Sequence, residues 1–259
     1  MKMSGKSTSF LERLAQGRML ARWARAGRLV SALGRAELRQ LRDDAWTLRR
    51  ALDRVLFLAE GRLAVPPDGE DGIVRPLGCD WVWRPDLWRG PVVPAGVVGA
   101  ESRTPIGAEA TLFHDCRDSD ITLRQIRNRP PLDLAPFGLR LDVFRFDGSF
   151  LSLVLDLPEE GVAGLKRTHL IRLAMSVELE RPLEIFCRLN VKHGPNTDQL
   201  VREMPLGSGT DFVEFDLAYT KMNEKRVEKV WVDLIFEGPR MNQILLRDLT
   251  FARHPRADI

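Results

Sequence analysis

A chain of 259 residues with 44% hydrophobic content and a net charge of +3 has the make-up of a packed globular protein rather than a disordered or fibrous one. Three cysteines, Cys79, Cys116 and Cys187, stand far apart with no CxxC pair, which argues against a disulfide framework and a zinc site. Charge is unevenly spread: residues 1–62 carry 14 basic against 6 acidic residues, a balance of +8, and the remainder 25 against 30, a balance of −5. A basic arm on a mildly acidic body points to an anionic partner, a membrane surface or a nucleic acid, or else to a solvated arginine face.

Residues 9–60 follow the helical repeat. Ser9-Phe-Leu-Glu12 fits a capping box at the start. Arg18, Arg22, Arg25 and Arg28 fall on one side of the first helix, and Met19, Leu20, Trp23 and Val30 on the other. Such a segment suits the plane of an anionic membrane, and equally a helix docked on its own domain. After Ser31 and Gly34 the pattern restarts. Leu38, Leu41, Ala45, Leu48, Leu52, Val55 and Ala59 alternate steps of three and four, the spacing of a helix-pair seam. That seam needs a partner: the first helix, the body, or a second copy in a homodimer through residues 38–59. Arg39 with Asp43 and Arg49 with Asp53 form i,i+4 pairs, and Gly61 marks the stop before Pro66-Pro67. Gly5-Lys6-Ser7-Thr8 lacks the earlier glycine and buried strand of a phosphate-binding loop and is set aside. No signal-peptide core and no run of ~18–20 apolar residues is present, so the expected location is cytoplasmic, with the arm able to hold the protein peripherally at the inner membrane.

Residues 63–138 hold 10 of the 16 prolines and 8 of the 20 glycines, which predicts turns and short strands contributing to the body. Trp81 and Trp83 share a side if that segment is extended, and paired indoles either stack on sugar rings or cover the end of a sandwich core. His114-Asp115-Cys116 has no GxSxG serine to complete a hydrolase site, and adjacent residues of a strand point to opposite faces. Asp115, Asp118 and Asp120 lack the glycine and distal glutamate of a calcium loop and are expected to form a solvated turn.

Over residues 139–254, within an expected sandwich core of residues 139–259, the period becomes two. Leu151, Leu153, Leu155 and Leu157 form one stripe. Ile171–Leu179 and Leu183–Val191 form two more, with Arg181-Pro182 as the turn between them. Val213, Phe215 and Leu217 make a fourth, and Val230, Val232, Leu234 and Phe236 a fifth. A final strand at about Ile244–Arg253 closes the series. The expectation is a mainly β chain with an N-terminal helical arm: an antiparallel sandwich or jelly roll preceded by two amphipathic helices. Cys187 reads as a small buried hydrophobe.

The ending Lys229-Val-Trp-Val-Asp-Leu-Ile-Phe-Glu237, the Gly238-Pro239 turn and Asn242-Gln-Ile-Leu-Leu-Arg-Asp-Leu-Thr-Phe251 resemble the closing strands of galactose-binding and carbohydrate-binding-module jelly rolls. The whole chain resembles an alphaproteobacterial family of uncharacterised activity. The first resemblance implies binding without catalysis and transfers no sugar-contacting residues.

The solvent side of one strand is expected to show Phe186, Arg188 and Asn190 with Glu184 and Lys192, and that of another Trp231 and Asp233. If these strands are neighbours, an aromatic and several hydrogen-bonding groups share one face, as a saccharide site requires. The competing arrangement, favoured by the arm's need for an apolar partner, places the arm over this face. No cofactor or metal motif is present, and no catalytic set. The leading expectation is therefore a non-catalytic binding or scaffold protein. Its sandwich recognises a glycan or protein through Trp81, Trp83, Phe186, Arg188, Asn190, Trp231 and Asp233. Its arm meets an anionic surface through Arg18, Arg22, Trp23, Arg25 and Arg28, or self-associates. The alternatives are a saccharide-active enzyme using a pair among Glu178, Glu180, Asp216 and Asp233, and nucleic-acid binding by the arm.

Overall fold

The helical repeat becomes two helices, α1 (Phe10–Leu29) and α2 (Arg35–Leu63), separated by a 3-10 turn at Val30–Ala32. The computed structural model describes residues 10–63, 73–128, 135–207 and 210–256, and the chain divides between Leu56 and Phe57 into a helical and a β unit. Ser9 of the expected capping box, Gly5-Lys6-Ser7-Thr8 and Pro66-Pro67 lie outside the described residues. A capping interaction does open α2, where the Gly34 N–H donates to Glu37 Oε2 at 3.0 Å. Along the α2 seam Leu38, Leu41, Ala45 and Leu48 are half-buried, while Leu52 and Val55 are exposed. Arg49 pairs with Asp53 at 3.4 Å as the spacing predicts, but Asp43 is taken by its neighbour Arg42 at 2.9 Å rather than by Arg39.

Two expectations for the arm need correction. At 100° per residue, Leu14 and Leu29 fall among Arg18, Arg22 and Arg25, so α1 separates its basic and apolar residues less sharply than the arginine spacing alone implies. Helix α2 also passes through Gly61 to Leu63 instead of stopping. A lone glycine costs a helix only about 1 kcal/mol, too little to end it. None of the described helices is long and apolar enough to cross a membrane.

The β unit runs in order through β1 (Trp81–Trp83), α3 (Asp86–Arg89), β2 (Gly96–Val98), β3 (Thr104–Ile106), β4 (Ala110–His114), β5 (Asp120–Arg127), β6 (Phe137–Arg145) and β7 (Leu151–Asp156). It continues through α4 (Glu159–Val162), β8 (His169–Leu179), β9 (Ile185–His193), β10 (Asn196–Glu203), β11 (Asp211–Asp216), β12 (Val227–Phe236) and β13 (Asn242–Pro255). All pairings are antiparallel. A seven-stranded sheet is ordered β11-β8-β13-β6-β5-β2, with β1 also on β13, and a six-stranded sheet is ordered β10-β9-β12-β7-β4-β3. Strands cross repeatedly from one sheet to the other, the winding of a jelly roll, so the chain is an antiparallel sandwich preceded by helices. The alternating stripes lie between the sheets: Leu151, Leu153, Leu155, Ile171, Leu173, Cys187, Leu189, Val232, Leu234 and Phe251 are all completely buried. The Pro/Gly-rich middle is more regular than its composition predicts, because β4 and the eight-residue β5 sit inside the sheets.

Strand β13 organises the seven-stranded sheet. It pairs with β6 through Leu246, bulges between Leu246 and Asp248, and then pairs with β1 along the same edge. Arg84 closes this junction with two hydrogen bonds of 2.8 Å to Asp248, both side chains being buried, and the Trp88 indole donates to the Leu246 carbonyl at 3.1 Å. Removing one member of such a buried pair costs about 3–5 kcal/mol.

Candidate functional site

The register of the six-stranded sheet determines what its outer face presents. Asn190 lies opposite both Gln199 and Trp231, and Trp231 opposite Asp156, which makes one row across four strands. Two residues along the strands, the next row is Arg188, Asp233, Val154 and Thr111. The third is Phe186, Ile235, Ser152 and Phe113. Lys192 and Lys229 stand opposite each other beyond the first row. These rows, with Phe150 but without Phe186, line a cavity of about 780 Å³. Its walls belong wholly to the β unit.

Polar groups of the first two rows are tied into one network. Arg188 approaches Asp233 Oδ2 with Nε at 2.7 Å and a terminal nitrogen at 2.6 Å. The Asn190 amide donates to the same oxygen at 3.2 Å, and its carbonyl accepts from the Gln199 amide at 2.9 Å. Asn190 is 1% and Asp233 4% exposed, whereas the Arg188 side chain is 37% exposed, so Asn190 and Asp233 are buried beneath an arginine that lines the cavity. Lys229 pairs with Asp156 at 2.8 Å and lies over the Trp231 ring at 5.6 Å, and Lys192 pairs with Glu228 at 2.7 Å. Partner lysine holds the Glu228 carboxyl below its usual range. The third row is different: its one polar side chain, Ser152, is 4% exposed and its hydroxyl has no hydrogen-bond partner among the described residues.

Arg188, Asn190, Trp231 and Asp233 are thus brought together as β9 and β12 pair. Phe186 shares their face but lies outside the cavity lining. Trp81 and Trp83 do not join them. They lie on β1 of the other sheet, partly buried against the core, 6.3 Å apart, with Trp83 stacked on Phe251 at 5.4 Å. A Cβ on Gly161 would stand 2.5 Å from the Trp81 ring, which shows how closely that indole is covered. In the arm, Arg18, Arg22, Arg25 and Arg28 are exposed and Trp23 is half-buried, with the Arg22 guanidinium 6.0 Å from its ring. Of the acids considered for catalysis, Asp233 alone lines the cavity, while Glu178 and Asp216 pair with Arg247 and Arg256 on the seven-stranded sheet.

His114 is buried, its Nε2 3.2 Å from the Ala100 carbonyl and its Nδ1 accepting from the Cys116 N–H. Burial pushes the Cys116 thiol up. Asp115 accepts from the Ser149 hydroxyl and the Ser149 and Phe150 N–H groups, and the Ser149 hydroxyl above all holds its carboxyl low. It therefore fastens a turn beside the cavity, and Asp118 pairs with Arg145 at 3.1 Å. Among the described residues no cluster of three or more metal-ligating side chains occurs. The sequence reading passed over Phe113, Phe150, Ser152, Thr111 and Gln199. For Ser152 the signal was present, as the residue between two leucines of the 151–157 stripe.

Among solved structures, the chain is similar to a family 11 carbohydrate-binding module from Clostridium thermocellum in complex with a β-1,3-1,4-mixed-linked tetrasaccharide, at 8% identity and TM-score 0.39, covering 60% of this chain and 94% of that one. It is similar to the C-terminal family 22 carbohydrate-binding module of Clostridium thermocellum Xyn10B, at 9% identity and TM-score 0.35, covering 72% of this chain and all of that one. It is also similar to the enzymatically active domain of the bacteriophage CBA120 tailspike protein 4, at 8% identity and TM-score 0.38, where 55% of this chain spans 19% of that one. No curated protein matches the sequence. A family model does, over residues 3–259: the chain belongs to DUF6478, a family of unknown function.

Proposed function

We propose that the β unit is a non-catalytic saccharide-binding module whose ligand lies in the cavity on the six-stranded sheet. One observation carries this reading: an indole, Trp231, sits in the same cavity as a network of Arg188, Asn190, Gln199 and Asp233 whose members are oriented by one another. A sugar ring offers an apolar face to an aromatic and a rim of hydroxyls to paired donors and acceptors. The charges of Arg188, Lys192 and Lys229 are each matched by a carboxylate within 2.8 Å, which suits hydroxyl recognition better than capture of a bare anion. Isothermal titration of the full chain against a panel of neutral and acidic oligosaccharides tests it. Binding to at least one neutral sugar is expected, weakened about tenfold or more by Trp231→Ala with the fold intact by circular dichroism. Absence of binding across the panel, or binding indifferent to Trp231→Ala, overturns the proposal.

The arm supports a second element of this reading, docking on an anionic membrane surface. Four arginines, Arg18, Arg22, Arg25 and Arg28, are exposed on α1 together with Met19 at 49% and Leu20 at 67%. The full chain is expected to sediment with anionic but not neutral vesicles, less so at high salt, and the fourfold Arg→Gln variant to stay in solution. Equal behaviour of the two proteins removes the membrane role. Salt-dependent retention on DNA without vesicle binding assigns the arm to nucleic acid instead.

A further inference from the structure

Helix α2 carries a row of Leu38, Leu41, Ala45, Leu48, Leu52 and Val55, all within the helical unit. The first four are half-buried, but Leu52 is 53% and Val55 63% exposed. Among the described residues α1 does not pack alongside α2, so it leaves the row open. Steps of three and four assign Leu38, Ala45 and Leu52 to the a positions of a heptad and Leu41, Leu48 and Val55 to its d positions. These are the knobs by which one helix seats in another, and a helix that shows them to water gains stability when a partner covers them.

The flanking charges say which partner. In the same register Glu37 and Asp44 fall at g and Arg42 and Arg49 at e, and all four are exposed. When two copies of α2 run parallel and in register, each g residue faces the e residue five positions further along the other helix. Glu37 then meets the partner's Arg42, and Asp44 meets the partner's Arg49, each contact made twice by symmetry. Reversing one helix breaks all of them: g faces g and e faces e, carboxylate against carboxylate and guanidinium against guanidinium. The contacts that compete within one chain are weak. Arg42 reaches its neighbour Asp43 at 2.9 Å and Arg49 reaches Asp53 at 3.4 Å, and both pairs are well exposed. Glu37 caps the helix through Oε2, and its second oxygen can accept from an arginine. Ala45, small at an a position, lets two backbones approach and would leave a void in the wider core of three strands.

We infer that α2 docks on α2 of a second copy of this chain, as a parallel, in-register two-stranded coiled coil over residues 38–55. The inference stands apart from the saccharide and membrane readings. It brings both α1 helices into the coil at the same end, which doubles the exposed arginines offered to an anionic surface.

Sedimentation equilibrium of the full chain tests it. Wild type is expected to pass from one to two chain masses as concentration rises. Glu37→Lys with Asp44→Lys, and separately Arg42→Glu with Arg49→Glu, set like charges across the seam. Each pair of changes is expected to weaken the dimer at least about tenfold, with the β unit intact by near-UV circular dichroism. An equimolar mixture of the two variants restores opposite charges at every g–e contact and is expected to regain the mass of a dimer. A chain that stays monomeric at every concentration overturns the inference, as does an oligomer of three or more. A dimer indifferent to both charge reversals, the behaviour of an antiparallel pair, sinks it too, and so does a mixture that fails to reassociate.

Discussion

The two outer faces of the sandwich are built from the same kind of pair and differ in what surrounds it. On the seven-stranded sheet Arg172 donates to Glu214 at 2.8 and 2.9 Å and lies over Phe212 at 4.2 Å, with His254 3.1 Å from the same carboxylate. On the six-stranded sheet Arg188 meets Asp233 at similar distances. Yet the Glu214 side chain is 31% exposed and Asp233 only 5%, and aromatic and amide groups wall a cavity around the second pair. An arginine–carboxylate pair on a sheet is thus ordinary surface furnishing until neighbours bury its carboxylate and leave its cation facing a cavity. Position, not residue type, separates a solvated ladder from a candidate site.

Matched substitutions break or sharpen that comparison. Asp233→Ala should have the largest effect. It strands a half-buried guanidinium and takes one acceptor from the Asn190 amide, which keeps the Arg188 and Trp231 carbonyls, so it should lower unfolding free energy by about 3 kcal/mol in urea titrations and abolish the proposed saccharide binding. A loss below about 1 kcal/mol would make the two faces equivalent. Glu214→Gln should cost less than about 1 kcal/mol at neutral pH and leave binding untouched. Burial raises the Glu214 carboxyl, but Arg172 and His254 outweigh it and hold it below its usual range. Its stabilisation is therefore present above the ordinary glutamate value and lost as pH falls through the folded one. The stability gap between wild type and variant should close on acidification, and a gap that widens contradicts the assignment. Smallest of all should be the reactivity of the layer between the faces. Burial pushes the Cys187 thiol up to about 12, so a thiol reagent should label Cys187 only in denaturant.

Alternation told which residues of β9 and β12 share a side, because a strand buried on one face must keep its apolar set inward. It did not tell that these strands are neighbours: β10 and β11 intervene in the chain, and only pairing places Asn190 opposite Trp231. The same limit explains Trp81 and Trp83, whose common side was legible but not the sheet to which β1 attaches. Phe113 and Phe150 escaped notice because proline and glycine density masked β4, and because Phe150 precedes a strand read only for its inward leucines. In α1 the arginine spacing was correct, and the positions of Leu14 and Leu29 among those arginines decided how sharply the helix is divided.

Strand β13 lies between β8 and β6 in the seven-stranded sheet, and its bulge receives Arg84 from the segment after β1. The last described strand is therefore the keystone of the seven-stranded sheet. β1, β6 and β8 all precede β13 in the chain, and each leaves an edge that only β13 pairs. Closure is consequently a late event of high contact order, slow relative to local helix formation. A chain cut short by even this one strand keeps most of its residues and loses the middle of a sheet.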